Sequence, residues 1–271
     1  MKPMQTLKRA AVNLKGAAEW YLYRRRYDHH AVLLLGLEKS GSTWLRNMFN
    51  ALPGFHTYLP KHITPLDHSL RPGMFDPYRR RLAVVRLHTV WTPEASEVLR
   101  HEQVPYIVQY RDLRDTAVSW YFYVVEVQNR HVLHDKIAAM SLEQGLDWYI
   151  DRLLPVRARF IRDWRGHLDP EWGHEVSYEA LRRDTVGTFG RLARACLGPG
   201  ISDQAIAAAV ERNSFRRVTG RNPGDEDRKA FVRKGVSGDW RNYFTPAQKD
   251  RVKATAGELL IELGYEKDMD W

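Results

Sequence analysis

One stretch, AVLLLGLEKSGSTWL from Ala31 to Leu45, constrains the fold of this chain more than any other. An apolar run ends at Gly36, a turn of small residues follows, and a helix-like pattern begins near Ser42. In a strand–loop–helix of this kind, backbone N–H groups and the positive end of the helix dipole face an anion. The stretch therefore predicts a phosphate-binding loop in an α/β domain.

The loop departs from the signature of nucleoside-triphosphate enzymes, G-x-x-x-x-G-K-[ST], at its lysine. Gly36, Gly41 and Thr43 fit that signature, but Ser42 stands in the lysine position and Lys39 lies inside the turn. In a triphosphate site the lysine bridges the β- and γ-phosphates. The displaced lysine therefore favours a different anion.

A second strand-like segment, YIVQYR, ends in a basic residue. Enzymes that use ATP and magnesium need an acid at the end of a second strand. This segment places Arg111 there, with Asp112 one residue later. Because a guanidinium repels a metal ion and attracts a phosphate, we predict an anion site without a metal.

Strand-like and helix-like segments alternate along the chain. Runs rich in apolar and β-branched residues predict strands at residues 31–36, 82–90, 104–112 and 174–179. Helical patterns occupy residues 42–51, 93–101, 114–127, 141–164 and 246–264, whereas residues 54–81 and 222–244 are predicted to be mainly irregular loop. This alternation predicts a single α/β domain with a central, mostly parallel sheet flanked by helices.

The charge balance favours anionic partners. The formal net charge is +9 and the pI is about 9.6, which suits a nucleotide, a nucleic acid, a membrane surface or an acidic polymer. The lone Cys196 excludes an intramolecular disulfide and a cysteine-based zinc site,. No apolar run reaches the ~20 residues that cross a bilayer, and the first residues do not contain the uninterrupted apolar core that is typical of a signal peptide. We therefore expect a soluble, cytoplasmic protein.

The first part of the chain, residues 1–28, is predicted to be a basic amphipathic helix that precedes the main domain at residues 29–271. Its apolar stripe is rich in alanine and its polar face is basic. Two roles stay open: weak attachment to an anionic membrane, which would make the protein membrane-peripheral, or packing on the domain.

Three segments together resemble the PAPS-dependent sulfotransferases of the cytosolic sulfotransferase superfamily. EKSGSTW resembles the family's P-K-S-G-T-T-W loop, and YRDLRDTAVSW resembles its R-[ND]-x-x-D-x-x-[VL]-S segment. FVRKGVSGDWRNYFT resembles its R-K-G-x-x-G-D-W-K-x-x-F-T segment. The resemblance covers most of residues 31–265, and it implies a P-loop-like fold and PAPS (3′-phosphoadenosine 5′-phosphosulfate) as co-substrate.

The resemblance also implies a donor site. Lys39 would contact the oxygen between phosphate and sulfuryl group and stabilise charge on the departing 5′-phosphate. Arg111 and Ser119 would bind the 3′-phosphate, which ATP lacks, while Trp44, Phe215 and Tyr178 would surround the adenine beside Asn213. The complete set of donor-binding residues implied by the family motifs is Lys39, Ser40, Gly41, Ser42, Thr43, Trp44, Arg111, Ser119, Tyr178, Phe215, Arg233, Lys234 and Gly235.

The acceptor hydroxyl must lose a proton, and histidine is the usual base near neutral pH. His88 ends the strand LAVVRLH, where active sites of open α/β sheets lie. It matches the family's K-T-H segment, although Arg86 and Leu87 replace the lysine and threonine. We predict His88 as the general base, with His62 and His68 as reserve candidates.

The acceptor itself is left open: a small molecule, a lipid or a carbohydrate with a hydroxyl or amine. The helix that contains SWYFYVV would help to line its pocket, and loops near residues 53–81 and 124–139 would contact it.

Many relatives dimerise through K-x-x-x-T-V-x-x-x-E. Here the segment is RNYFTPAQKD, in which Pro246 replaces the valine and removes a backbone donor,. We predict a monomer or a dimer of another kind.

Two rival functions remain. One is a phosphotransferase with a P-loop that uses ATP and magnesium, which the displaced lysine and the missing strand-end acid disfavour. The other is a basic protein that binds nucleic acid or an anionic membrane. Its support is the charge of +9, but the chain shows no nucleic-acid motif, so we expect no nucleic-acid partner.

Overall fold

The computed structural model describes residue 16, residues 18–64 and residues 67–271. Residues 18–23 are helical and lead into a 3₁₀ turn at Arg24–Arg26. The rest of the predicted N-terminal helix lies outside the described residues. Among the described helices, none is both long enough and apolar enough to cross a membrane.

A five-stranded sheet forms the centre of the domain. Its strands are β1 (Ala31–Gly36), β2 (Phe55–Thr57), β3 (Leu82–Leu87), β4 (Tyr106–Tyr110) and β5 (Gly173–Ser177). Their spatial order is β2-β3-β1-β4-β5, and every neighbouring pair is parallel. The prediction of a single α/β domain around a mostly parallel sheet is confirmed, and the sheet is parallel throughout.

Eleven named helices connect or cover the strands in the part of the chain that follows β1. They are α1 (Ser42–Asn50), α2 (Pro93–Glu102), α3 (Leu113–Phe122), α4 (His134–Ala138), α5 (Leu142–Arg152), α6 (Leu154–Gly166), α7 (Tyr178–Arg183), α8 (Thr185–Leu197), α9 (Asp203–Arg212), α10 (Phe215–Thr219) and α11 (Pro246–Glu262). Two short 3₁₀ helices, Asp76–Tyr78 and Asp239–Asn242, and a π-helical segment, Tyr123–Val127, complete the elements.

The sheet is covered on both faces because successive side chains of a strand point to opposite sides. On β1, Leu33 and Leu35 join a core with α3, α5, α6 and α11. Val32 and Leu34 join a second core with α1, α8 and α9. A strand that is buried on both faces must be apolar at every position. The run Val32–Leu35, fully buried, satisfies this condition.

Two sequence predictions of local structure are wrong. The loop predicted at residues 54–81 contains β2, which pairs with β3 at the edge of the sheet, as well as the 3₁₀ helix Asp76–Tyr78. The single helix predicted over residues 141–164 is two helices, α5 and α6, that meet at Leu153. Pro155 at the start of α6 explains the break, because proline cannot donate the hydrogen bond that a continuous helix requires.

The single cysteine of the chain lies in the second core. Cys196 on α8 has no exposed surface and forms no disulfide. Burial raises the pKa of its thiol far above the ordinary value, so the thiolate is strongly disfavoured.

Candidate active site

The phosphate-binding loop predicted from the sequence connects β1 to α1. Gly41, the residue before the helix, has a left-handed φ of 86°. A Cβ there would lie 2.7 Å from Cδ2 of Tyr178, so both backbone conformation and space require glycine,. The first turn of α1 contains no acidic residue, and the N–H groups of Ser42 and Thr43 stand at the helix start, where an N–H group has no partner within the helix. The loop is therefore shaped to accept an anion.

Hydrogen bonds hold the loop in this shape. The Ser40 hydroxyl is buried and donates to the carbonyl oxygen of Leu37 at 2.7 Å. The side chain of Gln109, fully buried on β4, donates to the Ser40 carbonyl oxygen at 3.1 Å. Sequence reasoning missed Gln109, although a polar residue inside the apolar run YIVQY was a usable signal. The loop is thus fixed from the neighbouring strand.

Lys39 lies in the same turn, with a left-handed φ of 64° that is unusual for a residue other than glycine,. Its ammonium nitrogen lies 4.1 Å from the centroid of the Tyr123 ring and 4.4 Å from that of Phe231. Burial, reinforced by the charges of Arg111 and Arg233, lowers the pKa of Lys39 to about 7. The two rings hold the cation by cation–π contacts.

Arg111 follows β4 and links two parts of the site. Its Nη2 donates to the carbonyl oxygen of Val236 at 2.9 Å, and its Nη1 donates to that of Lys39 at 3.4 Å. Its guanidinium also lies 4.4 Å from the centroid of the Tyr178 ring. Arg111 Nε is buried without a hydrogen-bond partner among the described residues. Ser119 lies on α3, partly buried, two helical turns after the start of that helix.

The loop that precedes α11 is anchored to α3 by one carboxylate. Asp115, buried, accepts hydrogen bonds from the backbone N–H groups of Gly238 at 2.7 Å and Trp240 at 3.0 Å. Its Oδ2 lies 3.6 Å from Arg111 Nη2. Arg111 and Asp115 therefore form a buried ion pair, and Asp115 also positions the loop.

The cations of this loop are held by acidic neighbours. Arg233 pairs with Glu226 and Asp239, and Lys234 Nζ lies 2.7 Å from Asp239 Oδ1. Gly235 has a φ of 65°, and the space that a Cβ would occupy is filled by the ring of Phe215. The sequence-predicted group Arg233, Lys234 and Gly235 thus packs beside Phe215, with both basic side chains bound to Asp239.

Two of the side chains expected near the adenine, Trp44 and Tyr178, meet at the start of α1. Trp44 Nε1 donates to the carbonyl oxygen of Asn213 at 2.9 Å. The rings of Trp44 and Tyr178 meet edge to face with centroids 5.9 Å apart. Phe215 begins α10 two residues after Asn213. Trp44, Tyr178 and Asn213 thus come from distant parts of the chain and meet beside the phosphate-binding loop, whereas Phe215 packs against Gly235.

His88 lies directly after β3, and its neighbours define its tautomer. Nδ1 pairs with the carbonyl oxygen of Gly36, which can only accept, so Nδ1 carries the hydrogen. Nε2 lies 2.9 Å from Nη1 of Arg86, which can only donate,. Burial, with a smaller contribution from Arg86, lowers the pKa of His88 to about 4. His88 is therefore a neutral imidazole whose Nε2 lone pair is occupied by Arg86.

A cavity of about 480 Å³ lies next to His88. His68 lines it as well, and His68 Nδ1 accepts a hydrogen bond from the His88 backbone at 3.2 Å. His62 instead pairs with the carbonyl oxygen of Ser69 at 3.0 Å. Of the two reserve candidates, only His68 stands beside His88. Within the described ranges, no group of three histidine, cysteine, aspartate or glutamate residues could hold a metal ion.

Comparisons with known proteins identify the family of this chain. The family model described as "Sulfotransferase domain" matches residues 29–264. Flavonol 3-sulfotransferase of Flaveria bidentis is 22% identical over 263 residues, covering 86% of this chain and 82% of that protein. 3-beta-hydroxysteroid sulfotransferase of Cavia porcellus is 28% identical over 153 residues, 52% of this chain and 50% of that protein.

The fold has solved counterparts. A mouse sulfotransferase was crystallised in complex with PAP (adenosine 3′,5′-bisphosphate) and is 20% identical to this chain, with a TM-score of 0.63. The match covers 93% of this chain and 95% of the mouse chain. Together with the family match over residues 29–264, this confirms the resemblance drawn from the three motifs, and the ATP-dependent phosphotransferase is not favoured. The chain belongs to the sulfotransferase domain family and is a sulfotransferase.

Proposed function

We propose that this sulfotransferase moves a sulfuryl group from PAPS to a hydroxyl or amine of an acceptor and releases adenosine 3′,5′-bisphosphate (PAP). The supporting observation is that one side chain joins the two segments to which we assign the two phosphates of the donor. Arg111 bonds to the carbonyl oxygen of Lys39 in the phosphate-binding loop and to that of Val236 in the loop before α11. A donor with phosphates at two positions requires two such segments.

Each part of the donor has a proposed partner. The turn Ser40–Thr43 would bind the 5′-phosphosulfate through backbone and hydroxyl donors. Arg111 and Ser119 would bind the 3′-phosphate with the backbone of the Arg233–Gly235 segment. Because Asp239 holds the side chains of Arg233 and Lys234, their contact with the phosphate requires that these ion pairs loosen. Trp44, Tyr178 and Phe215 would enclose the adenine.

The proposed transfer is an in-line displacement at sulfur. The acceptor oxygen forms a bond to sulfur while the bond from sulfur to the 5′-phosphate oxygen breaks, and the bonding electrons stay on that phosphate. Lys39 would leave its aromatic contacts and stabilise the charge. His88 Nε2 would take the acceptor proton, which requires that Arg86 first withdraw from that nitrogen,.

The acceptor class is proposed from the relatives. Two similar proteins are named for flavonols and 3-beta-hydroxysteroids, so we propose a small-molecule acceptor, with lipids and carbohydrates as further candidates.

A cytoplasmic location is proposed because the buried, unpaired Cys196 suits a reducing compartment,. The boundary between residues 1–28 and residues 29–271 is also a proposal.

Calorimetry tests the donor. The protein should bind PAP without added metal, and ATP with magnesium should bind far more weakly. Binding of ATP with magnesium but not PAP would contradict the proposal. A screen of phenol, steroid, carbohydrate and lipid acceptors with labelled PAPS should then show transfer to at least one acceptor.

The membrane role of residues 1–28 has its own test. Full-length protein and protein that begins at residue 28 are sedimented with vesicles of anionic lipid. A membrane role requires greater recovery of the full-length protein, whereas equal recovery of both would exclude it.

A further inference from the structure

The segment after α11, residues 263–271, reaches back to the start of α3 and contacts a buried cation there. This cation is Arg114, which is 1% exposed. Its guanidinium carbon lies 4.0 Å from the centroid of the Trp240 ring and 4.3 Å from that of the Trp271 ring. Its Nη1 lies 2.5 Å from Oε1 of Glu266. The 263–271 segment therefore contributes both an aromatic ring and a carboxylate to the surroundings of Arg114.

The same guanidinium fixes the residue that follows Arg111 in the chain. Arg114 Nε and Nη2 donate to the two carboxylate oxygens of Asp112, at 3.0 and 2.8 Å. Two parallel bonds of this kind fix the orientation of both groups as well as their distance. Asp112 is also the N-cap of α3, because its side chain accepts a hydrogen bond from the backbone N–H of Arg114. The contacts of the 263–271 segment with Arg114 are thus passed on to the turn between β4 and α3.

A second contact from the 263–271 segment reaches the backbone of that turn. The Tyr265 hydroxyl donates to Oε2 of Glu179 at 2.6 Å. The other carboxylate oxygen of Glu179 accepts a hydrogen bond from the backbone N–H of Asp112 at 3.3 Å. The segment therefore acts on Asp112 by two separate routes, one through its side chain and one through its backbone.

Both routes meet at the turn that carries Arg111. The Arg111 guanidinium bonds to the carbonyl oxygens of Lys39 and Val236, so its direction decides whether it joins the two loops. Asp112, the next residue, is fixed at both its side chain and its backbone. A shift of Asp112 would move the guanidinium away from the place that a 3′-phosphate requires.

We propose that the 263–271 segment positions Arg111 for the 3′-phosphate of the donor. Trp271, Glu266 and Tyr265 are positioning residues in this account, because they act through other side chains and not on the donor itself. The proposal rests on the assignment of that phosphate to Arg111 in the proposed function. It also goes beyond the family resemblance, since the match to the family model ends at residue 264.

The test compares PAP with adenosine 5′-monophosphate, which lacks the 3′-phosphate, by calorimetry on the full chain. Trp271→Ala should weaken PAP binding about five- to tenfold, because Arg114 loses a cation–π contact. Its affinity for adenosine 5′-monophosphate should change less than about twofold. Trp271→Phe keeps a ring beside the guanidinium and should restore most of the PAP affinity. Tyr265→Phe removes only the hydroxyl and should weaken PAP binding about two- to fivefold.

Two controls separate positioning from a general loss of stability. Met269→Ala alters the same segment, but Met269 is 42% exposed and packs beside Gly257 of α11. This variant should leave both affinities unchanged. In an Arg111→Ala background, Trp271→Ala should cause no further loss of PAP affinity, because the proposed route ends at Arg111.

Three results would overturn the proposal. They are equal losses of affinity for the two ligands, unchanged PAP affinity in Trp271→Ala, and additive losses in the double variant with Arg111→Ala. If Trp271→Ala does not fold, Tyr265→Phe decides, and an unchanged ratio of the two affinities there has the same meaning. A wild type that does not bind PAP would instead overturn the donor assignment, so the two failures are distinct.

Discussion

PAP binding should weaken as pH rises through neutrality, because Lys39 loses its proton there. In the free protein the Lys39 pKa is about 7, well below the ordinary 10.5, since burial penalises the charged form. A bound 5′-phosphate favours the ammonium and raises its pKa, so binding takes up a proton at any pH between the two values. If the pKa in the complex returns to the ordinary value, PAP affinity should fall roughly 30-fold between pH 6 and pH 8.5.

Calorimetry in buffers of different ionisation enthalpy measures both the affinity and the proton uptake. At pH 7.5 the wild type should take up roughly 0.8 proton per PAP. Lys39→Gln should bind less tightly and lose the dependence above pH 7. The phosphate monoesters of PAP titrate near pH 6. This titration changes the PAP affinity of the wild type and of Lys39→Gln equally. Equal pH dependence above pH 7 in the two proteins would refute the role assigned to Lys39.

Three further substitutions separate the parts of the site. His88→Ala should lower turnover at saturating PAPS by about 10²–10⁴-fold and leave PAP affinity nearly intact; full activity would remove His88 from the reaction. Arg111→Ala should weaken binding of PAP far more than that of adenosine 5′-monophosphate, and equal losses would contradict a 3′-phosphate site. Gly41→Ala should lower the free energy of unfolding in urea by about 1–3 kcal/mol, and more than Gly264→Ala, which also has a left-handed φ, 73°, but no atom within 4 Å of the added Cβ.

Local sequence patterns predicted the elements that carry the phosphate-binding loop. The apolar run before Gly36, the small-residue turn and the helix after Gly41 are contiguous. The anion-binding role of this segment can therefore be inferred without knowledge of tertiary contacts. Strand β2 was missed because it has three residues among prolines and glycines. Its stability comes from pairing with β3, which no local pattern encodes.

For distant segments, the motifs predicted which residues belong to the site but not the contacts between those residues. Trp44 and Asn213 meet although 169 positions separate them, and the family motifs supplied that association. The contact between Arg86 and His88 is different, since alternate residues of a strand share a face. That periodicity predicts that the guanidinium and the imidazole lie on the same side, a signal that the sequence prediction of His88 as the base did not use.

The buried thiol of Cys196 makes the chain convenient for spectroscopy. It is the only cysteine, and a thiol without exposed surface and with a raised pKa reacts slowly with maleimides,. A cysteine introduced at Val132, which is 88% exposed between the π-helical segment and α4, would therefore take a single fluorophore without removal of the native residue. Such a labelled enzyme would report movement of that loop when acceptor binds, in an otherwise unaltered core.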